Sequence, residues 1–451
     1  MSAAVGIHAV LPPELPLLAD ADVSRILAWQ NGKAVTADEF LADVGALAAR
    51  LPSARQVVNL CDDRYRFIVA FCAAAAAGQT NLLPGTRTPQ AIAETAASYP
   101  DSYVLTDRAQ DGVDVRQFVI PQALSRAAAA MMPALPPDRV VAIAFTSGST
   151  GMPKANPKTW GAVCASSAFN AGAVCAGGAP NIVATVPPQH MYGLELSVLL
   201  PLRSRAAIHA GHPFFPTDIA LALAQVPAPR VLVTTPHHLR ALLRSDVALP
   251  AIDAIVSATA PLDAKLARAV EARYVTRVIE LFGSTETCVI AQRCAALDEP
   301  WHLYPGVSLH PQPDGTLVNT AYFSAPTLLH DIVEMLPGNN FQLRGRNSDL
   351  LEIAGKRASL GDLNRRLLAI AGVEDGVIFQ LDADQRGVSR LAALAVAPGM
   401  RVEKILDSLR AGIDPVFLPR PLKIVDSLPR NAAGKLPRAA LLDALTSSQP
   451  A

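Results

Sequence analysis

An excess of charge of either sign is missing from this chain. Its 451 residues carry 39 Lys plus Arg against 39 Asp plus Glu. No basic surplus therefore marks nucleic acid or an anionic membrane as a bulk partner. Long apolar runs are missing too. The longest candidate, residues 67–78, is rich in alanine and only about half the length that spans a bilayer. It reads as a buried helix, and no integral membrane segment is expected. Residues 1–20 lack a basic cluster followed by an apolar run, so no secretory signal is expected. The six cysteines form no Cys-x-x-Cys, have no companion histidine at zinc spacing, and there is no His-Glu-x-x-His. Scattered reduced core cysteines in a cytoplasmic protein are the expectation, in place of a metal or disulfide framework.

What is present is a globular composition, 51% hydrophobic and 17% charged, on a chain long enough for two or three domains. Residues 24–52 pattern as helix, with Thr36 as N-cap and Asp38 and Glu39 in the first turn. Apolar strand-like runs then alternate with helical stretches: strands at 56–60, 80–83 and 102–105, helices at 64–77 and 89–97. After an Ala- and Pro-rich connector at 121–137, the alternation resumes with helix 159–174. It then runs through strands at 181–186, 206–209, 231–234, 254–257 and 278–282. This pattern predicts a doubly wound, parallel α/β layer. Beyond residue 346, helices at 360–370 and 402–410 and strands at 376–380 and 391–396 predict a small α+β domain.

The densest chemistry is Phe145-Thr146-Ser147-Gly148-Ser149-Thr150-Gly151-Met152-Pro153-Lys154, directly after the apolar run at 140–144. Its glycines let backbone N–H groups approach an anion, its hydroxyls add donors, and its lysine adds positive charge. A Walker loop is excluded, because Pro153 separates Gly151 from Lys154. Composition alone leaves a polar surface turn equally open.

In this residue order the stretch resembles the phosphate loop of the adenylate-forming enzymes: acyl-CoA synthetases, luciferases and adenylation domains. The resemblance extends along the chain. Pro187-Pro188-Gln189-His190-Met191-Tyr192-Gly193 is similar to the family's His/Phe-x-x-Gly region, which implies that His190 lies near the reacting carboxylate. Phe282-Gly283-Ser284-Thr285-Glu286 resembles the aromatic-Gly-Ser/Thr-Thr-Glu signature. That gives Phe282 a face for adenine, Gly283 and Ser284 a turn against the nucleotide, Thr285 a phosphate to donate to, and Glu286 a role in holding Mg²⁺. Read without the family, the same residues fit a strand ending in a capped helix. Ala258-Thr259-Ala260-Pro261 stands where the family has Gly-Gly-Ala-Pro against adenine, and the two added Cβ atoms are expected to crowd the base.

Asp331, after His330, replaces the family's Thr-Gly-Asp, whose aspartate grips the ribose. Arg346 occupies the Arg of the family's hinge, facing ribose or phosphate, with Ser348 and Asp349 at the pivot. Near the C-terminus Pro429-Arg430-Asn431-Ala432-Ala433-Gly434-Lys435 resembles the terminal Pro-Arg-x-x-x-Gly-Lys loop, which makes Lys435 the cation that meets charge on the α-phosphate and carboxylate.

The resemblance implies an N-terminal adenylation domain at 1–346 and a small mobile C-terminal domain at 347–451 bearing the catalytic lysine loop. It implies ATP and Mg²⁺, a carboxylic acid made into acyl-AMP with release of pyrophosphate, and transfer to the thiol of coenzyme A or a phosphopantetheinyl carrier protein. Thr146, His190, Glu286 and Lys435 become the catalytic set, and Glu286 the metal ligand. Thr146, Ser147, Gly148, Ser149, Thr150, Gly151 and Lys154 clamp the phosphates. The aspartate with which amino-acid-activating relatives hold an α-amino group is absent after His190, which favours a plain acyl or aryl acid. The Gly78–Pro84 stretch resembles ligases of bacterial polyene-pigment clusters that load a carrier protein. A nucleotide-binding homologue without turnover and a stand-alone amino-acid adenylation domain are the alternatives.

Overall fold

The computed structural model describes residues 12–124, 131–146, 154–297, 299–320, 322–323, 325–346, 350–353, 356–381, 390–431 and 434–447. The chain divides into a unit of residues 1–307 and 319–326 and a smaller one of residues 308–318 and 327–451.

The larger unit is built on two sheets. In the first, Val140–Thr146, Thr80–Leu83, Gln56–Asn59, Ser102–Thr106 and Gln117–Val119 run parallel side by side. In the second, Arg277–Ser284, Ala254–Ser257, Arg230–Thr234, Asn181–Ala184, Ala207–His209 and Ile26–Gln30 do the same. These strands are short apolar runs because helices cover both faces of a parallel sheet. Val183, Leu232, Ile255 and Val278 form one such row, packed under Leu239, Leu242 and Val270 of the flanking helices. The expected doubly wound layer is therefore present.

Both sheets also carry antiparallel margins that the strand and helix alternation did not reveal. Lys154–Thr159 pairs back onto Val140–Thr146, and Cys288–Arg293 pairs back onto Arg277–Ser284. Residues 24–52 are not one helix. Ile26–Gln30 and Lys33–Thr36 form a hairpin that turns through Asn31 and Gly32, both at positive φ, and only Ala37–Ala48 is helical. The start signal was sound: the Thr36 hydroxyl accepts from Glu39 N–H while the Glu39 carboxylate accepts from Thr36 N–H.

In the smaller unit, Asp375–Gln380, Leu391–Val396 and Leu422–Ile424 form a sheet. Leu363, Leu367, Ile405 and Leu409 of two amphipathic helices pack on it, as the 3.6-residue spacing of their leucines requires.

Candidate active site

Thr146 is the last residue of its strand and the cross-strand partner of Lys154. The two ends of the expected phosphate loop are thus antiparallel neighbours; Ser147, Gly148, Ser149, Thr150 and Gly151 lie outside the described residues. A second hairpin, Arg277–Ser284 with Cys288–Arg293, carries Glu286 in its turn. Ser284 N–H donates to Thr287 Oγ1 at 3.1 Å, Thr287 N–H donates to Ser284 Oγ at 3.2 Å, and Thr287 Oγ1 donates to the Cys288 carbonyl at 2.9 Å. The Ser/Thr-before-Glu pattern is therefore a turn lock, and no helix follows it. A Cβ on Gly283 would sit 2.1 Å from the Cys288 carbonyl oxygen, so only glycine fits there. Cys288 itself is held at φ +59°, a strained position for a side-chain-bearing residue.

These turns bring residues 140 positions apart into contact: Thr146 Oγ1 donates to Glu286 Oε1 at 3.5 Å. Asn156 Nδ2 donates to Thr146 Oγ1 at 3.3 Å, and Lys158 Nζ donates to the Glu286 carbonyl at 2.9 Å. Lys158 is only 3% exposed and lies over the Phe323 ring. Neither Asn156 nor Lys158 was singled out from the sequence. The signal was there, since Lys154, Asn156 and Lys158 alternate and so share one face of an extended strand.

Phe282 packs against Trp301, ring centroids 5.3 Å apart. Ala258 is buried, while Thr259 is exposed and sits at φ +76°, the left-handed region where glycine is at ease and a β-branched residue is not. Ala260 is half-buried and Pro261 exposed. Backbone strain is therefore located at Thr259.

His190 is the half-buried N-cap residue of the short helix Met191–Leu194, which runs on into a π-helical turn at Glu195–Leu199. Glu195 is 1% exposed. Its carboxylate accepts from Ser166 Oγ at 2.5 Å, from Asn170 Nδ2 at 3.2 Å and from Val289 N–H at 3.1 Å. Burial raises its carboxyl above the usual range, against the pull of these donors and of Lys158.

In the smaller unit, Asp331 is buried and is the cross-strand partner of Arg346. The Lys435 loop is tied at its base. Asn431 N–H donates to the Lys435 carbonyl at 2.8 Å, Lys435 N–H donates to Asn431 Oδ1 at 2.9 Å, and Gly434 turns the chain at φ +75°. Arg430 grips Asp375 through Nη2 at 3.0 Å to both oxygens and donates from Nη1 to the Gly434 carbonyl at 2.9 Å. The Lys435 side chain is exposed. The hinge residues Ser348 and Asp349 lie outside the described residues.

The AMP-binding enzyme family matches residues 19–314, well over half of the chain. This chain belongs to that family. A 4-coumarate–CoA ligase of Halorhodospira halophila is 29% identical over 307 residues, 64% of this chain and 73% of that protein. Among solved structures, the anthranilate CoA ligase AuaEII in complex with anthranoyl-AMP superposes with a TM-score of 0.80 at 15% identity, covering 97% of this chain and 98% of that one. The o-succinylbenzoate CoA synthetase of Bacillus subtilis in complex with ATP and magnesium gives 0.80 at 17% identity, covering 95% and 100%. At such identities the structural likeness establishes the fold.

Within this AMP-binding enzyme, the donor set at the two hairpins suits a hard cation. A hydroxyl and a carboxylate converge at Thr146 and Glu286, which is oxygen chemistry fit for Mg²⁺, whereas the cysteines are scattered and free. Of the residues expected from the sequence, the described larger unit joins Thr146 to Glu286, and it links Lys158, not expected there, to the same turn.

Proposed function

We propose that the chain activates a plain aryl or acyl carboxylic acid with ATP and Mg²⁺ and passes the acyl group to the thiol of coenzyme A. In the first step a carboxylate oxygen bonds to the α-phosphorus and the bond to the bridging oxygen of pyrophosphate breaks, leaving acyl-AMP. In the second step the thiol sulfur bonds to the acyl carbon and AMP leaves. The observation that carries the reading is the meeting at 3.5 Å of Thr146, at the end of its strand, and Glu286, in its turn, in a chain that matches the AMP-binding family across both.

Residues 146–154 bind the phosphates, Glu286 with Thr146 holds Mg²⁺, which neutralises phosphate charge, and His190 faces the reacting carboxylate. Asp331 and Arg346 take the ribose side, and Lys435 supplies positive charge to the α-phosphate and carboxylate oxygens during attack. Residues 1–346 act as the adenylation domain and 347–451 as the domain that delivers Lys435 and then withdraws for the thiol. Glu195, the first acidic residue after His190, is the acid that could replace an aspartate holding an α-amino group; its carboxylate is buried and already takes hydrogen bonds from Ser166, Asn170 and Val289, which supports a plain acid over an amino acid. The CoA ligase names among the relatives support coenzyme A as acceptor.

Acid-dependent exchange of pyrophosphate into ATP, run over aryl, fatty and amino acids, tests the first step. Exchange with an aryl or fatty acid is expected. Exchange driven best by an amino acid overturns the substrate class, and ATP binding without exchange by any acid overturns the enzyme. Product formation with coenzyme A, compared with a phosphopantetheinylated carrier protein, then decides the acceptor.

A further inference from the structure

Behind the His190 loop lies a buried cation. Arg64 is the first residue of the helix Arg64–Ala76, after its N-cap Asp63, and its side chain is 0% exposed. Two effects work against a guanidinium there. The helix N-terminus is the positive end of its dipole, and burial pulls the guanidinium down to about 9. Asp63, the neighbouring acid, accepts instead from Arg66 N–H and Gln30 Nε2.

The two terminal nitrogens of the guanidinium are held by the chain on either side of His190, while Nε is buried without a hydrogen-bond partner. Nη2 donates to the carbonyls of Ala184 and Val186, both at 2.9 Å. Nη1 donates to Ser197 Oγ, which donates onward to the Gly193 carbonyl at 2.6 Å. The first pair anchors the strand end that enters residues 187–193, and the second anchors the helix that leaves them. Between these anchors the loop closes tightly on itself. His190 N–H donates to the Pro187 carbonyl at 3.3 Å, and a Cβ on Gly193 would stand 1.9 Å from that same oxygen.

We propose that Arg64 is a positioning residue for acid activation, its guanidinium stapling the two ends of the 187–193 loop so that His190 is held against the reacting carboxylate. The proposal rests on the role given to His190 above. Buried charge is a weak source of stability, because its replacement by well-packed apolar residues is often neutral or stabilising. What a guanidinium supplies is a rigid planar fork that can reach two carbonyls and a hydroxyl at once, which a lysine ammonium does not reproduce.

The test uses full-length Arg64→Gln, Arg64→Lys and Ser197→Ala proteins in the pyrophosphate-exchange assay, with KM for the acid and KM for ATP measured separately and thermal denaturation alongside. Arg64→Gln is expected to lower kcat/KM for the acid by about tenfold or more, with KM for ATP within about twofold of wild type. Arg64→Lys recovers part of that loss. Ser197→Ala, which removes one arm only, moves the acid parameter in the same direction by about threefold and keeps the measurement informative if Arg64→Gln misfolds. The inference fails if Ser197→Ala and Arg64→Lys keep the wild-type acid parameters, or if acid and ATP parameters fall together with the folded fraction. A wild-type chain inactive with every acid overturns the functional reading itself, so the two failures are distinct.

Discussion

The Glu286 turn and the Lys435 loop each place a charged side chain at the end of a turn, and they do so by opposite means. The Glu286 turn is rigid from within. Gly283 has no room for a side chain, Cys288 is held at positive φ, hydroxyls cross-link Ser284 to Thr287, and a buried lysine grips the Glu286 carbonyl. The Lys435 loop is held, among its described residues, by Asn431 and the Arg430 to Asp375 pair, and the lysine is exposed. Strain and burial suit a group that must keep fixed oxygens in place. An exposed cation on a tied stalk suits a group delivered to the reaction and then withdrawn.

The largest effect should come from the exposed member. Lys435→Ala is expected to cut acid-dependent pyrophosphate exchange by about 100- to 1,000-fold, the usual consequence of losing one charge-stabilising donor in the transition state. Its melting temperature should stay unchanged, because the side chain makes no buried contact. Lys154→Ala, on the phosphate hairpin, should cost about tenfold or less as a second exposed cation acting on binding. If Lys154→Ala abolishes exchange and Lys435→Ala spares it, the division of roles between the two regions is reversed.

Next comes the stalk. Arg430→Ala takes the guanidinium away from the buried Asp375 carboxylate, which keeps the Gly376 N–H, and removes the Arg430 donor from the Gly434 carbonyl. The expected cost is about 3 kcal/mol, read as a lower unfolding midpoint in urea, with exchange reduced even in the folded fraction. A folded Arg430→Ala protein with wild-type exchange would show that Lys435 needs no anchored base.

The larger unit also contains, outside the Glu286 turn, a buried group that should respond to acid. His238, 2% exposed in the larger unit, is held by Thr235 Oγ1 at 3.0 Å, and burial next to His237 pulls its imidazole down to about 4. It stays neutral when folded yet takes a proton when unfolded below about 6.5. Its contribution is therefore intact above that pH and is lost as the pH falls toward 4. His238→Asn should flatten the fall in melting temperature between pH 6.5 and 4, and an unchanged slope would assign the acid sensitivity elsewhere. The Lys435 loop has no histidine in it to respond over this range.

The same contrast explains which parts could be read from the residues alone. Parallel strands such as Arg230–Thr234 and Ala254–Ser257 are buried on both faces, so their apolar runs announce them. The margin strand Lys154–Thr159 is polar and contains a proline; it is a strand only because Val140–Thr146 offers it an edge. Short strands leading straight into a capped helix hid the hairpin at 26–36 in the same way. At the site, motif residues such as Glu286 were visible by type and spacing. Lys158 was not, since its partner lies 128 residues away and only the fold joins them. Arg64 looked like an ordinary helix-start residue until its three acceptors came into view.

The smallest expected effect tests whether strain after the strand Ala254–Ser257 serves any purpose. Thr259 occupies φ +76° on an exposed bend next to buried Ala258, and a β-branched residue there costs about 1 kcal/mol or more. Thr259→Gly removes that cost while giving the unfolded chain extra freedom, so the net gain in stability should be about 1 kcal/mol or less. Because Ala258 to Pro261 stand where adenine is expected, the change should also lower KM for ATP slightly, leaving KM for the acid alone. If stability rises and KM for ATP does not move, the strain is incidental to nucleotide binding. If KM for ATP instead rises, the threonine side chain itself contacts the nucleotide, and the site owes part of its affinity to the residue that strains this bend.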